Sequence, residues 1–437
     1  GMSLRLAWWR ASLAAVGGGC GEGGGAPPGA GGAGGGGAAP EGCLDIVVDG
    51  EGLPEGWSRY SALRAARHAF WRDELGLHVA WESNEPGEGP AHVVVSSYDA
   101  ATGELLGHAV YDVFELDVAW WHTALWAAAG APDGTFAVIV SKETDPDTES
   151  VKRVVFGHPD VPGVFAVWDP PFPEMDATPA YVNWDGEAFA VHVVEQEDLG
   201  LNLVRLAPDG TVLLPRTPVG RVSNVWEEFS AYHTDPVSGR SWLLSTWEEG
   251  VWLTGHDRGG TPMAGTEAAG GVVIEPVGFD ASKVPAYHLA VFSDANEALL
   301  VWRDGGYDAH LSSGTLFQRV ADTVPSSDVS WLEDEHPSST RKALTRMDDG
   351  WVLALQTVGI GVEAHRLDAS GAPLSRWPLV KYERCSATCI GDHPTHIDVR
   401  AFHAQSWEDE VWFGFSDNTA AVEAGILPYR IVKVIEG

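Results

Sequence analysis

Residues 180–194 read AYVNWDGEAFAVHVV, and this stretch contains the pattern that decides the fold. A short segment that begins Ala180-Tyr181 is followed by Asp185-Gly186 and then by an apolar run that ends at Val194. Asp-Gly between two apolar segments is a strong signal for a β-hairpin. The apolar run suits a strand that is buried on both faces of its sheet. The stretch is therefore predicted to form two neighbouring strands.

The same pattern occurs seven times along the chain. The segments begin at Ala66, Ala124, Ala180, Ala231, Ala286, Ala343 and Ala401. They are followed by turns at residues 73–76, 132–134, 185–186, 235–239, 294–297, 348–350 and 408–410, and then by apolar strands. Second turns at residues 99–103, 157–163, 208–210, 257–260, 312–314 and 368–371 predict a third and a fourth strand in most repeats. Four antiparallel strands in each repeated unit predict an all-β fold, a seven-bladed β-propeller. A six-bladed ring, with one repeat misread, is the alternative.

The two ends of the predicted domain complement each other. The seventh repeat ends at Gly437, where its second turn should be, and so it lacks a fourth strand. The segment Leu44–Val48 is strand-like and has no repeat of its own. We therefore expect Leu44–Val48 to pair with Tyr429–Val434 and to close the ring, which removes a free sheet edge.

The first 43 residues differ in composition from the rest. Residues 1–20 form a leader with Arg5, Arg10, a short apolar run and Cys20. Residues 21–43 belong to a glycine-rich stretch that cannot build a packed core, so they are predicted to be a tether. Residues 44–437 are predicted to form a single propeller domain.

The leader, the cysteine and the tether together resemble the signal of bacterial lipoproteins. In that family the cysteine becomes the lipidated first residue of the mature protein, which implies lipidation of Cys20 and export to the outer surface or periplasm. Gly17 stands where the family prefers a leucine, and Arg10 interrupts the apolar run. Plain secretion and a cytoplasmic protein with an unusual leader are the alternatives. Membrane contact is expected only through the lipid anchor, since no later stretch is apolar enough to span a bilayer.

The net charge of −35 excludes some partners. A negative field of this size repels phosphate backbones, so nucleic-acid binding is not expected. We expect a soluble, monomeric domain with a carbohydrate or protein ligand and no resident cofactor.

Histidines recur at one point of the predicted first strands, which lie nearest the ring axis. They are His68, His233, His288 and His403. Imidazoles beside a central channel could bind a metal ion or act as general bases. The alternative is that they lie between blades and hydrogen-bond to the backbone. They belong to blades one, four, five and seven, which is too dispersed for one compact metal site.

The linkers between blades are rich in tryptophan and acid, and all are predicted to lie on one face of the ring. The candidate binding residues there are Trp121, His122, Trp168, Trp226, Trp331, His336, His393 and His396. Exposed tryptophan beside carboxylates suits stacking on sugars or binding of cations. The alternative is that each tryptophan covers the core at the end of its blade.

Two cysteines lie in the linker between blades six and seven. Cys385 and Cys389 are followed by His393 and His396, a set that could bind zinc. In an oxidising compartment a disulfide between Cys385 and Cys389 is the favoured interpretation. A metal ion bound by these cysteines and histidines is the alternative.

No sequence motif specifies a reaction. The segment Tyr98–Glu104 resembles one turn of the quinone-dependent dehydrogenase propellers, although those enzymes carry it in several blades and here it occurs once. The favoured hypothesis is a surface-exposed, non-catalytic module that binds a ligand or a partner. The alternatives are a secreted carbohydrate-active hydrolase or lyase and a metal- or quinone-dependent oxidoreductase.

Overall fold

The structure is a computed structural model of the 437-residue chain. It describes residues 44–48, 58–59, 69–84, 91–111, 122–143, 151–170, 177–195, 199–222, 230–247, 250–263, 272–274, 287–293, 297–303, 315–321, 324–325, 330–332, 339–347, 350–357, 361–381, 403–408, 410–416 and 429–434. These ranges form thirty β-strands. No helix among them is long and apolar enough to cross a membrane.

The strands form seven antiparallel sheets, which we number as blades in chain order. Blade one contains β2 Ser58–Arg59, β3 Ala69–Asp73, β4 Gly76–Asn84, β5 Ala91–Tyr98 and β6 Leu105–Tyr111. Blade two contains β7 His122–Gly130, β8 Phe136–Glu143, β9 Val151–His158 and β10 Val161–Trp168. Blade three contains β11 Ala177–Trp184, β12 Phe189–Glu195, β13 Gly200–Leu206 and β14 Val212–Arg221.

The remaining four blades follow the same plan. Blade four contains β15 Ser230–Thr234, β16 Ser241–Trp247, β17 Gly250–His256 and β18 Val272–Ile274. Blade five contains β19 Tyr287–Ser293, β20 Glu297–Arg303, β21 Thr315–Ala321, β22 Val324–Pro325 and β23 Ser330–Leu332. Blade six contains β24 Ser339–Met347, β25 Gly350–Thr357, β26 Gly361–Leu367 and β27 Pro373–Lys381. Blade seven contains β28 His403–Trp407, β29 Glu410–Ser416, β30 Tyr429–Val434 and, from the other end of the domain, β1 Leu44–Val48.

The blades are arranged in a closed ring. The first strands β3, β7, β11, β15, β19, β24 and β28 each contact the next in this order, and β28 contacts β3. These strands therefore line the inside of the ring, and the predicted seven-bladed propeller is confirmed. The turns after the first and third strands lie on one side of the ring, which we call the turn face. The opposite side, where the chain passes between blades, is the linker face.

The ring closes through the pairing that the sequence predicts. Strand β1 pairs antiparallel with β30, from Leu44 opposite Lys433 to Val48 opposite Tyr429. Ile46 and Val48 are buried in a cluster that also contains apolar residues of blade one. Because this cluster joins blades seven and one, the closing strand stabilises both the last blade and its contact with the first.

The first hairpin of blade one has its turn where the sequence predicts it, since Asp73 lies opposite Gly76. The described part of its inner strand is Ala69–Asp73, and Ser58–Arg59 pairs with β4 on the same side. The predicted segment Ala66–His68 precedes Ala69 directly. Residues 60–68 lie outside the described residues.

Aspartates at the turns of the turn face have a structural role. Their carboxylates accept hydrogen bonds from backbone N–H groups in the same turn, which is the usual way that aspartate stabilises a turn. The residues are Asp73, Asp99, Asp133, Asp185, Asp209, Asp235, Asp257 and Asp368. A hydrogen bond from the Thr102 N–H lowers the pKa of Asp99, and one from the Ser370 hydroxyl lowers the pKa of Asp368. Much of the acidity of this face is therefore part of the fold.

Gly414 allows blades seven and one to approach closely. A Cβ atom at this position would lie 2.1 Å from the Tyr429 hydroxyl and 2.5 Å from Cδ1 of Phe70. We expect Gly414→Ala to lower the free energy of unfolding by about 1–3 kcal/mol, because a packed seam must move apart. Urea unfolding measures this change. Gly259→Ala is the control, since its Cβ would meet only Asp257 Oδ1 at 3.3 Å, and an equal loss in both variants would contradict the prediction.

Candidate functional site

The predicted axial histidines are only partly described. His233 lies on β15 and His403 on β28, three blades apart in the ring. His288 lies on β19, where its backbone is described, and His68 lies outside the described residues.

His233 is part of the seam between blades four and five. Its Nδ1 accepts hydrogen bonds from the Ser293 hydroxyl at 3.0 Å and the Ser293 N–H at 3.2 Å. The ring packs on Phe292, with 4.2 Å between centroids. Burial lowers the pKa of His233 to about 4, so the ring is neutral at pH 7. His233 thus joins two blades, which is the structural alternative considered for this position.

A buried pair of histidines lies between blades three and four. The Nε2 atoms of His192 and His256 are 2.6 Å apart. Because His256 Nδ1–H donates to the Asp257 carbonyl at 2.8 Å, its Nε2 is the acceptor, and His192 Nε2–H is the donor. The Tyr232 ring packs on His192 at 4.4 Å. Burial lowers the pKa of both histidines, that of His256 to about 4.

These histidines do not form a metal site in the described part of the chain. No group of three or more His, Cys, Asp or Glu side chains there could hold a metal ion. Structural zinc usually takes four protein ligands, and catalytic zinc takes three. The pair of His192 and His256 is therefore interpreted as a neutral hydrogen bond within the core.

An acid–histidine–hydroxyl chain lies within blade one. His78 Nε2 is 3.0 Å from Asp73 Oδ1, and its Nδ1 is 2.8 Å from the Ser97 hydroxyl. Trp71 also donates to Asp73 at 3.2 Å. Asp73 and His78 are 1% and 2% exposed, so a substrate has no access to the histidine. This chain ties the first turn of blade one to its strands.

The segment that resembles a quinone-dehydrogenase turn forms an ordinary turn. Asp99 Oδ1 accepts hydrogen bonds from the N–H groups of Ala101 and Thr102 at 2.9 and 2.8 Å. Gly103 has a φ of 73°, which favours glycine. The conformation of the turn thus accounts for the motif without a ligand.

The predicted linker-face residues fall into three groups. Trp168 is described and is only 7% exposed, packed in the core between blades two and three. Burial in this cluster agrees with the alternative considered for the linker tryptophans, in which the indole covers the core of its blade. His122 and Trp331 lie on β7 and β23, where the backbone is described. Trp121, Trp226, His336, His393, His396, Cys20, Cys385 and Cys389 lie outside the described residues.

Trp126 is the aromatic residue that the structure adds to the linker face. It lies on the inner strand β7, where a β-bulge shifts the register with β8 between Leu125 and Ala127. Its Nε1 donates to the Ser141 hydroxyl at 2.7 Å, and the Lys152 ammonium lies 3.2 Å from the ring centroid. Ser141 and Lys152 lie near the linker ends of their strands, and beside them the partly exposed indole packs against the core between blades two and three. Bulges commonly redirect a side chain beside functional sites.

Two charged pairs lie at the linker ends of blades two and three. Arg153 lies 3.0 Å from Asp169, whose side chain is 60% exposed. Glu195 accepts a hydrogen bond from Asn202 at 2.9 Å and pairs with Arg216. We call Trp126, Lys152, Arg153, Asp169, Glu195 and Arg216 the linker-face ledge. Its donors and acceptors are suited to hydroxyl groups of a ligand.

The chain matches no protein-family model and no curated protein sequence. Among solved structures, it is similar to the polysaccharide lyase Uly1, with a TM-score of 0.51, 10% identity, and coverage of 88% of this chain and 93% of that chain. A structure from a study of two prolyl endopeptidases has a TM-score of 0.45 and 12% identity, covering 85% of this chain and 51% of that chain. Prolyl oligopeptidase B from Galerina marginata has a TM-score of 0.41 and 13% identity, covering 82% and 47%. At this identity, the similarity to the lyase shows the fold alone.

Proposed function

We propose that the protein is an exported, surface-exposed module that binds carbohydrate at the linker-face ledge without catalysis. The observation that supports the proposal is Trp126, a half-buried indole that is held by a hydrogen bond and by Lys152. An aromatic ring fixed in this way offers a rigid surface for stacking on a sugar ring. Lipid anchoring through Cys20 is part of the same proposal.

The charged pairs of the ledge favour binding over bond cleavage. Asp169 and Glu195 are each paired with an arginine, an arrangement typical of a hydrogen-bonding surface. A hydrolase or lyase at this face would need an acid or base with access to the reacting atoms of the sugar. The carbohydrate-active enzyme is therefore the second candidate, and it is tested in the same experiment.

Trp126→Ala is expected to weaken carbohydrate binding by about tenfold or more, because the stacking surface is lost. A glycan array with the full chain identifies the bound sugar, and titration calorimetry measures its affinity for each variant. Trp126→Phe keeps an aromatic face over Lys152 and should retain most of the affinity. Phe165→Ala removes a 45% exposed aromatic ring from the outer rim and serves as the matched control.

Three outcomes would contradict the proposal. They are the absence of any bound glycan, full affinity in Trp126→Ala, and an equal loss in Phe165→Ala. Thermal melting of each variant establishes that it is folded. Incubation of the bound polysaccharide with the wild-type protein tests for catalysis. Shorter polysaccharide chains among the products would show cleavage, and the second candidate, a carbohydrate-active enzyme, would then take the place of the non-catalytic binding module.

A further inference from the structure

The outer rim of blades one to three carries exposed apolar side chains, which we call the rim patch. Its members are 42% to 52% exposed and are Leu106, Val161, Phe165, Val167, Val212 and Leu213. Single exposed apolar residues are normal on soluble proteins. A group of neighbouring ones marks a surface that contacts something else.

The three strands that carry the patch lie side by side. Strand β6, which carries Leu106, contacts β10, which carries Val161, Phe165 and Val167. A Cβ atom on Gly210 would lie 3.0 Å from that of Ala166, so the turn that leads into Val212 rests against β10. The strands that carry the patch are therefore neighbours across two blade boundaries.

Strand β10 forms the outer edge of blade two. Strand β10 is the outermost strand of its sheet, and in the described part of the chain its outer side has no strand partner. Strand β10 contains Pro162, and Asp169 and Pro170 follow it, so proline and charge stand at its two ends and residues 163–168 between them are uncharged. Proline and charge are common means by which edge strands avoid association.

A partner at the edge of β10 is expected to contact its side chains, and the addition of a further strand is not favoured. The register of β10 with β9 is irregular between Val161 and Ala166, which limits the length over which another strand could add regularly. Phe165 and Val167 nevertheless extend from the edge with more than two fifths of their surface exposed. These two residues are the centre of the patch.

The charges around the patch indicate the kind of partner. Exposed carboxylates flank its members in the sequence: Glu104 before Leu106, Asp160 before Val161, and Asp209 before Val212. A second copy of a chain with a net charge of −35 would be repelled. A basic partner would be attracted and oriented by the same charges.

We propose that the rim patch binds an amphipathic, basic segment of another protein. The apolar residues of that segment contact Phe165 and Val167, and its lysines or arginines lie beside Glu104, Asp160 and Asp209. This interaction is separate from carbohydrate binding, because the patch lies on the outer rim and the ledge on the linker face.

The test uses the full chain and two labelled synthetic peptides, one alternating leucine with lysine and one alternating leucine with glutamate. Fluorescence anisotropy measures their affinities. We expect the lysine peptide to bind, and the double variant Phe165→Ser, Val167→Ser to weaken it by about tenfold. Leu374→Ser is the matched control, a 62% exposed leucine on the edge strand β27 of blade six. All these variants keep the net charge, so non-specific attraction of the peptide is the same in each.

Each of the following results would overturn the proposal. If Leu374→Ser weakens the affinity for the lysine peptide equally, any exposed apolar residue contributes to binding. If the double variant keeps the full affinity, the peptide does not bind at the rim patch. Equal binding of the glutamate peptide would remove the role of charge. Sedimentation that finds a wild-type dimer and a monomeric double variant would assign the patch to a second copy of this chain.

Discussion

Deletion of residues 44 to 49 is expected to lower the melting temperature by at least about 5 °C. The deletion removes the outer strand of blade seven, which pairs with β30 along five residues. It also exposes the partners of Ile46 and Val48, each of which contributes roughly 1.5–3 kcal/mol through burial. A free edge on β30 and an open seam with blade one add to this loss.

Differential scanning calorimetry of the deleted and the complete chain measures the change. A chain that begins at Leu44 is the control, because it lacks residues 1–43 and keeps the closing strand. We expect this control to melt at the temperature of the complete chain. An unchanged melting temperature after deletion of residues 44 to 49 would mean that the ring does not depend on β1.

Acidification from pH 6.5 to pH 4 is expected to destabilise the protein by several kcal/mol. Burial lowers the pKa of His233 and of His256 from 6.5 to about 4. Between these values the unfolded chain binds more protons than the folded one, so stability is complete above pH 6.5 and is lost as the pH falls toward 4. Each of the two histidines contributes roughly 3 kcal/mol across this window. Burial also lowers the pKa of His192, which adds to the effect.

Urea unfolding at a series of pH values measures this dependence. His233→Asn should reduce its slope, because asparagine does not titrate and its amide oxygen can accept the hydrogen bond from the Ser293 N–H. The carboxylates of the turn aspartates affect stability in a different pH range. Their lowered pKa values, below 3.8 for Asp99 and Asp368, cause a loss of stability only in stronger acid. An equal slope in the wild type and His233→Asn would contradict the assignment to this histidine.

The architecture could be predicted because each blade repeats its own local signals. Asp185-Gly186 marks a turn in the sequence, and the structure pairs the strands on either side of it. The closure could be predicted because the seventh repeat lacks one strand and Leu44–Val48 offers one. The turn of the first hairpin could likewise be predicted at residues 73–76 from its local signal, and the structure pairs Asp73 with Gly76 there.

The candidate site depends on contacts that no local pattern contains. Trp126 stands in the repeat as an ordinary strand residue, and its role depends on a bulge and on Lys152, which lies on another strand. Trp168 belongs to a linker whose composition suits ligand binding. Its position at the junction of two blades nevertheless buries its side chain. Which of several tryptophans stays accessible is decided by the packing of neighbouring sheets.

The position of β1 also has a mechanical consequence. Leu44 is the first residue of the closing strand and lies opposite Lys433. With the proposed anchor at Cys20, a pulling force on the residues before Leu44 would act first on the Leu44–Lys433 pair. The strand that completes the propeller would then also be its point of attachment, and the tension at which it detaches would set the load that the domain can bear.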